Sequence, residues 1–213
     1  MKERGIIFNG EMVRATLDGR KTQTRRIVKP QPDEDGLARL NGGPWMDTSE
    51  RVYRCPFGQP GDRLWIRETS GLQIRRDALG GTGEFRVYRA SNPDAIRYKT
   101  ASGEIAPIKW VPSIHMPRHA SRILLEITDV CVERLNDISE VDAIAEGIEP
   151  YPPHPDFPQR YHEYFPLGNK NGLRCNMSAA SSFAGLWESI YGAESWNENP
   201  WVWTVSFQRI EGE

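Results

Sequence analysis

Cysteine is scarce in this 213-residue chain, and its three copies form no framework. Cys55, Cys131 and Cys175 are odd in number, widely separated and without a C-x-x-C pair. That pattern excludes a disulfide scaffold and a structural zinc site, leaving reduced, partly buried thiols. Long apolar runs are missing too. Nothing approaches the roughly 18 residues of a membrane-spanning helix, and "MKERGIIFNGEM" lacks the sustained apolar stretch of a secretion signal, so a soluble cytoplasmic protein with no membrane partner is expected. Nor is there a surplus of positive charge: Lys and Arg total 27 against 29 Asp and Glu, which excludes a polycation built for sequence-blind DNA binding. Internal repeats, low-complexity tracts and Gly-rich phosphate loops are absent, arguing against a nucleotide-binding α/β fold. The four histidines, His115, His119, His154 and His162, have no H-E-x-x-H spacing. No metal or cofactor is expected.

What is present is a local concentration of charge. "DGRKTQTRR" gathers Arg20, Lys21, Arg25 and Arg26 around Thr22 and Thr24. Before it, "RGIIFN" reads as a strand, and Asn9 is placed to cap a helix in which Met12, Val13 and Leu17 share a face, with Gly19 as its stop. After it, "TQTRRIV" has strand propensity until the prolines of "KPQPDEDG". The cluster therefore falls at a helix-to-strand junction.

Further on, "GDRLWIRET" predicts a strand with Leu64 and Ile66 on one face and Arg63, Trp65 and Arg67 on the other, ending near Glu68. Residues 69 to 118 read as an excursion with a short strand over "FRVYRA". In "SRILLEITDV", Ile123, Leu125 and Ile127 face one way and Leu124, Glu126 and Thr128 the other, and "VCVERL" continues the strand. "DISEVDAIAEGIE" carries a helix start at Ser139 with Asp142 and a stop at Gly147. "EPYPPHPDFPQRYHEYFP" holds too many prolines for regular structure and reads as a surface loop or lid. "SSFAGLWESIYG" predicts an amphipathic helix burying Phe183, Leu186, Trp187 and Ile190, and "PWVWTVSFQRI" a last strand with one buried face through Trp201, Trp203, Val205 and Phe207. Short strands with helical caps predict an α+β, mainly β chain: a small, largely antiparallel barrel with packed helices.

The helix ending in "DGRKTQTRR", the strand "GDRLWIRE", the segment "LNDISEVDAIAEGI" and the closing apolar strand together resemble the ASCH domain, a family of PUA-like β-barrels. With "CPFGQPGDRLWIRET" and "PSIHMPRHASRI", the longer arrangement is similar to ASCH proteins of phages and prophages. The resemblance implies one domain over residues 1–213, with insertions at about 31–57, 69–118 and 149–181. Small bacterial members remove the acyl group from N4-acetylcytidine with a lysine, a threonine and a glutamate. Their G-R-K-T-x-T motif matches Gly19, Arg20, Lys21, Thr22 and Thr24. The resemblance thus implies catalytic roles for Lys21 and Thr24, with Glu146 as the carboxylate and Glu68 as its alternative. Candidate substrate-binding residues are Arg20, Arg26, Trp65, Arg67 and Glu68, and Tyr88 is a further candidate aromatic wall.

The chemistry is coherent. An amide needs an activated nucleophile and help for its oxyanion, and a lysine accepts a proton only where burial or neighbouring cations lower its pKa. The expected activity is a metal-independent amidohydrolase acting on N4-acylated cytosine or cytidine, with Thr24 or a water as nucleophile. A rival of another class is a PUA-like RNA-binding module, and a third is a ribonuclease. In "HMPRHASR", His115, Arg118, His119 and Arg122 are either RNA contacts or the loop before a core strand.

Overall fold

The structure, a computed structural model, describes residues 1–39, 42–76, 81–100, 102–164 and 175–210. Strands predominate over three α-helices among these residues, giving an α+β chain. The central sheet has five strands: β1 (Glu3–Ile7), β2 (Gln23–Ile27), β3 (Arg63–Arg67), β4 (Leu124–Arg134) and β5 (Trp201–Ile210), in the order β1-β3-β4-β5-β2. Its pairings are antiparallel except β1 with β3, which run parallel.

The expected barrel does not close among the described residues, because β1 and β2 are the two edges and no backbone ladder joins them. Closure needs strands long enough to pair after the stagger that curls the sheet, and these two have five residues each. The gap is spanned by a side chain: Arg26 Nη2 donates to the Ile7 carbonyl at 3.2 Å.

Alternation builds the core. Leu64, Ile66, Ile123, Leu125 and Ile127 are all buried, each contributing about 1.5–3 kcal/mol by leaving water. At Thr128 a bulge places one extra residue in β4 opposite β5, so the buried face resumes at Val130 instead of Asp129. The expectation of one buried face on β5 is corrected: Val202 and Thr204 are buried as well as Trp203, Val205 and Phe207. β5 lies between β4 and β2, and helices cover its second face.

Those helices are α1 (Gly10–Leu17), α2 (Glu140–Ala145) and α3 (Ala179–Tyr191). Asn9 Oδ1 accepts the Met12 N–H at 2.8 Å, and Ser139 Oγ accepts the Asp142 N–H at 3.1 Å, both caps anticipated from sequence. Glu140 of α2 accepts from the Ala179 and Ala180 N–H groups at 2.7 and 3.3 Å, docking the start of α3 on α2. Phe183, Leu186 and Trp187 then pack with Leu135, Ile148 and Val202 in a second core. Ile190 departs from its expected burial. It is 44% exposed, because the last turn of α3 borders a small void instead of the packed core.

The insertions hold more regular structure than their composition predicts. Within 31–57, three two-residue strands bring Trp45 against Trp203, ring centroids 6.1 Å apart. Within 69–118, Ser70–Arg76 pairs with Thr82–Tyr88 and Ile96–Lys99 with Ile105–Pro107. In the Pro-rich segment Tyr161–His162 pairs with Cys175–Asn176; positions 165 and 166 of the expected loop lie outside the described residues. Cys55 and Cys131 are free, and burial raises both thiol pKa values. No helix among the described residues is long and apolar enough to cross a membrane.

Candidate active site

Three elements converge on Lys21. The Arg20 and Lys21 N–H groups both donate to the Ala15 carbonyl at 2.9 Å, closing the end of α1. The next N–H, of Thr22, donates to the Ala145 carbonyl of α2 at 2.8 Å, and the Thr22 carbonyl accepts from Phe207 of β5 at 2.8 Å. The lysine is therefore fixed by its backbone before its side chain is considered. Gly147 completes the fit. Its φ is +98°, and a Cβ there would lie 2.9 Å from the Ala15 Cβ and 3.1 Å from the Lys21 Cβ, so glycine allows both the turn after α2 and the close approach.

The Lys21 ammonium is sealed in, with the residue 2% exposed. Nζ donates to Glu146 Oε2 at 2.7 Å, to the Glu146 carbonyl at 2.7 Å and to the Gln23 carbonyl at 2.9 Å. Three acceptors match the three N–H bonds of the charged form. Burial nevertheless pushes the Lys21 pKa below the ordinary lysine value; Glu146 opposes the shift, and Arg26 and Arg25 add to it.

Glu146 is shared. Its Oε1 accepts from Arg25 Nη1 at 3.4 Å, and Arg25 also donates to Gln23 Oε1 at 2.6 Å and to Glu133. Thr204 Oγ1 donates to the same Glu133 oxygen at 2.9 Å. Two cations and three carboxylates thus form one network, the chain Lys21–Glu146–Arg25–Glu133 with Asp142 of α2 also 3.7 Å from Arg25, on the α2 side of the sheet. The other face of β2 carries Thr24 and Arg26, opposite Val205 and Trp203. Thr24 is fully buried, and its Oγ1 has no hydrogen-bond partner among the described residues. An unmatched buried hydroxyl costs about 1–3 kcal/mol. Phe8 closes this side, its ring centroid 5.4 Å from Lys21 Nζ and 5.8 Å from the Arg26 guanidinium.

A cavity of about 210 Å³ adjoins Glu146 and Gly147. Arg20 lines it and donates to the Gly147 carbonyl at 3.0 Å, while His162 and Tyr164 from the 149–181 insertion form its far wall.

The structure thus brings Lys21 and Glu146 into contact, with Arg20 on the neighbouring Gly147 carbonyl and Arg26 sharing the Phe8 ring with Lys21; Thr24 lies on the other face of β2 from Arg25 and makes no hydrogen bond to Lys21, and the remaining candidates lie elsewhere. Glu68, the alternative carboxylate, is bound by Arg122 through two hydrogen bonds of 2.8 and 3.0 Å and borders a separate cleft of about 430 Å³ beyond Phe8. Tyr88 lies under that same Arg122, 4.1 Å from ring centroid to guanidinium. Trp65 and Arg67 stack on each other at 5.4 Å, on the face of β3 opposite the buried Leu64 and Ile66. Strand alternation groups these two correctly but does not say which face meets the lysine. In "HMPRHASR", Arg118 pairs with Glu3 and Arg122 with Glu68, so both arginines act within the fold.

Sequence reasoning passed over Phe8 and Glu133. Phe8 immediately precedes the capping Asn9, a signal that it is held at the helix entry. Glu133 directly follows the apolar Val130, Cys131 and Val132 in the same strand, which marks it as a carboxylate beside the core. In comparisons with known proteins, no family model, no curated protein and no solved structure matches the chain.

Proposed function

We propose that the protein is an ASCH-type, PUA-like amidohydrolase that removes the acyl group from N4-acylated cytosine derivatives. The observation that carries this reading is a buried lysine with a lowered pKa, held by a carboxylate, three residues before a buried threonine whose hydroxyl has no partner. Most buried side-chain hydroxyls in folded proteins are hydrogen-bonded, so the unmatched Thr24 hydroxyl is a candidate nucleophile.

In the proposed reaction neutral Lys21 takes the Thr24 hydroxyl proton as Oγ1 attacks the acyl carbonyl. The C–N bond then breaks, the cytosine N4 leaves with that proton as the amine, and water hydrolyses the acyl-threonine to release the carboxylic acid. Glu146 orients the lysine. Direct attack by a Lys21-activated water is the close variant. Lys21 and Thr24 are 2% and 0% exposed, so substrate reaches them by local opening next to the cavity at Glu146. A small acylated base or nucleoside suits such a closed site better than an RNA strand.

Hydrolysis of N4-acetylcytidine, followed by ultraviolet absorbance, tests the proposal. Wild type releases cytidine, and Lys21→Ala and Thr24→Ala lose at least about 100-fold in kcat/KM, the usual scale for a lost proton-transfer group. Full turnover in both variants refutes the mechanism. No release by wild type, from acetyl or bulkier acyl substrates, refutes the activity, and cleaved RNA in its place reassigns the site to phosphate chemistry. Mass spectrometry of a trapped acyl-Thr24 separates the two nucleophiles.

A further inference from the structure

The cleft beyond Phe8 has a chemistry of its own. It encloses about 430 Å³, within the range of small-molecule sites, and shares only Arg14 with the cavity at Glu146. Its apolar wall is Ile7, Phe8, Ala90 and Pro93. Ile7 is 45% exposed although it ends a strand of the central sheet, so this wall lies open to be covered.

The polar wall consists of donors. Glu68, the one carboxylate lining the cleft, has both oxygens taken by Arg122. Beside that neutral pair stand two cations, Arg14 and Arg89, neither in an ion pair with any described residue. Arg89 is exposed; its backbone is fixed by donating to the Thr69 carbonyl at 3.0 Å, and its guanidinium makes no hydrogen bond with any described residue. Arg14 makes one such bond, to the Ala90 carbonyl at 3.3 Å, which leaves most of its donors for a ligand.

Arg14 also stands against the positive end of its own helix. Helical side chains lean towards the N-terminus, and a Cβ on Gly10 would lie 3.4 Å from Arg14 Nη1. The α1 N-terminus carries a partial positive charge, and Gly10 lines the cleft. Glu11, the acid of that first turn, lines the cavity at Glu146 and not this cleft. Like charges therefore meet in one wall, an arrangement that an anion in the cleft relieves. Inorganic phosphate would use the charges and leave the Ile7–Phe8 wall wet, whereas an uncharged hydrocarbon would cover the cations without pairing them.

We propose that this cleft binds an organic carboxylate, its acid group on Arg89 and Arg14 and its apolar body against Ile7, Phe8 and Pro93. The site stands whether or not the chain hydrolyses amides.

A ¹H–¹⁵N NMR titration of the full chain with phenylacetate tests it. Saturable shifts are expected at the Gly10, Arg89 and Ala90 amides with a Kd of about 5 mM or tighter, the affinity of about ten non-hydrogen atoms at ordinary ligand efficiency. Arg89→Gln weakens binding at least about tenfold, the scale of a lost charge-assisted hydrogen bond. Phenylacetamide, the same shape without the charge, is weaker by a similar factor. Ile7→Ser weakens phenylacetate at least about threefold by removing apolar wall, and Arg20→Ala, in the cavity at Glu146, binds like wild type. The proposal is overturned by absence of saturation up to about 20 mM, or by shifts centred on Gly147 instead of Gly10. It is equally overturned if phenylacetamide or inorganic phosphate binds as tightly as phenylacetate, or if Arg89→Gln leaves the affinity unchanged.

Discussion

Replacing Glu146 with glutamine tests the buried network at its centre. The side chain keeps its shape but loses its charge, leaving the Lys21 ammonium, 2% exposed, with two carbonyls and no counter-ion. Breaking a buried pair from one side costs about 3–5 kcal/mol, a drop of about 6–20 °C in Tm for a chain of this size. Lys21→Met costs less, about 1–3 kcal/mol, because it removes the charge that needs solvation, while Glu146 keeps Arg25 at 3.4 Å. The double variant, Lys21→Met with Glu146→Gln, leaves neither an unpaired ammonium nor a carboxylate. It should be more stable than the sum of the single losses predicts by at least about 2 kcal/mol. Urea unfolding of the four proteins at neutral pH measures the cycle. If Glu146→Gln falls within about 1 kcal/mol of wild type, or the two losses simply add, Lys21 and Glu146 do not act as a buried ion pair.

The lowered Lys21 pKa also sets a pH dependence. Between its folded pKa and the ordinary lysine value near 10.5 the unfolded chain binds the extra proton, so wild-type stability rises with pH across that window relative to Lys21→Met; parallel stability–pH curves contradict this. Over the same lower limb kcat/KM rises with pH as Lys21 becomes able to accept a proton. Thr24→Val removes an unpartnered hydroxyl, so melting should show unchanged or higher stability, by up to about 1 kcal/mol, while turnover is lost; a destabilised variant would mean that the hydroxyl has a structural partner. Arg122→Ala leaves Glu68 buried without its two-bond partner and should cost about 3–5 kcal/mol on unfolding without altering the pH–rate profile; an altered profile would return Glu68 to the site.

Local signals carried the framework. The Asn9 and Ser139 caps, the turns at Gly19 and Gly147 and the alternation of Leu64 with Ile66 depend on neighbours within a few residues, and each appears where the sequence places it. The carboxylate nearest Lys21, Glu146, was legible through a motif resemblance and the helix that ends before it. What remained hidden depends on sheet order. Glu133 reaches Arg25 across 108 positions because β5 brings β4 and β2 together, and no local pattern encodes that adjacency. The second buried face of β5 required knowing that α3 lies over it. Strand alternation groups Trp65 with Arg67 and is silent on what their face meets, while Glu68 entered only as the alternative carboxylate that the resemblance implies.

The seam between β1 and β2 is held differently from the rest of the sheet. In a closed barrel each strand is fastened to the next by several backbone hydrogen bonds, and opening one breaks them together. Here one guanidinium, Arg26, reaches from β2 to the Ile7 carbonyl, and the ring of Phe8 lies beneath both Arg26 and Lys21. A rotamer change at a partly exposed side chain takes picoseconds to nanoseconds, so the Arg26 hydrogen bond at this seam breaks and reforms far faster than the ladders on either side of it. The same arginine shields the facing edges of two strands that would otherwise be free to pair with another molecule.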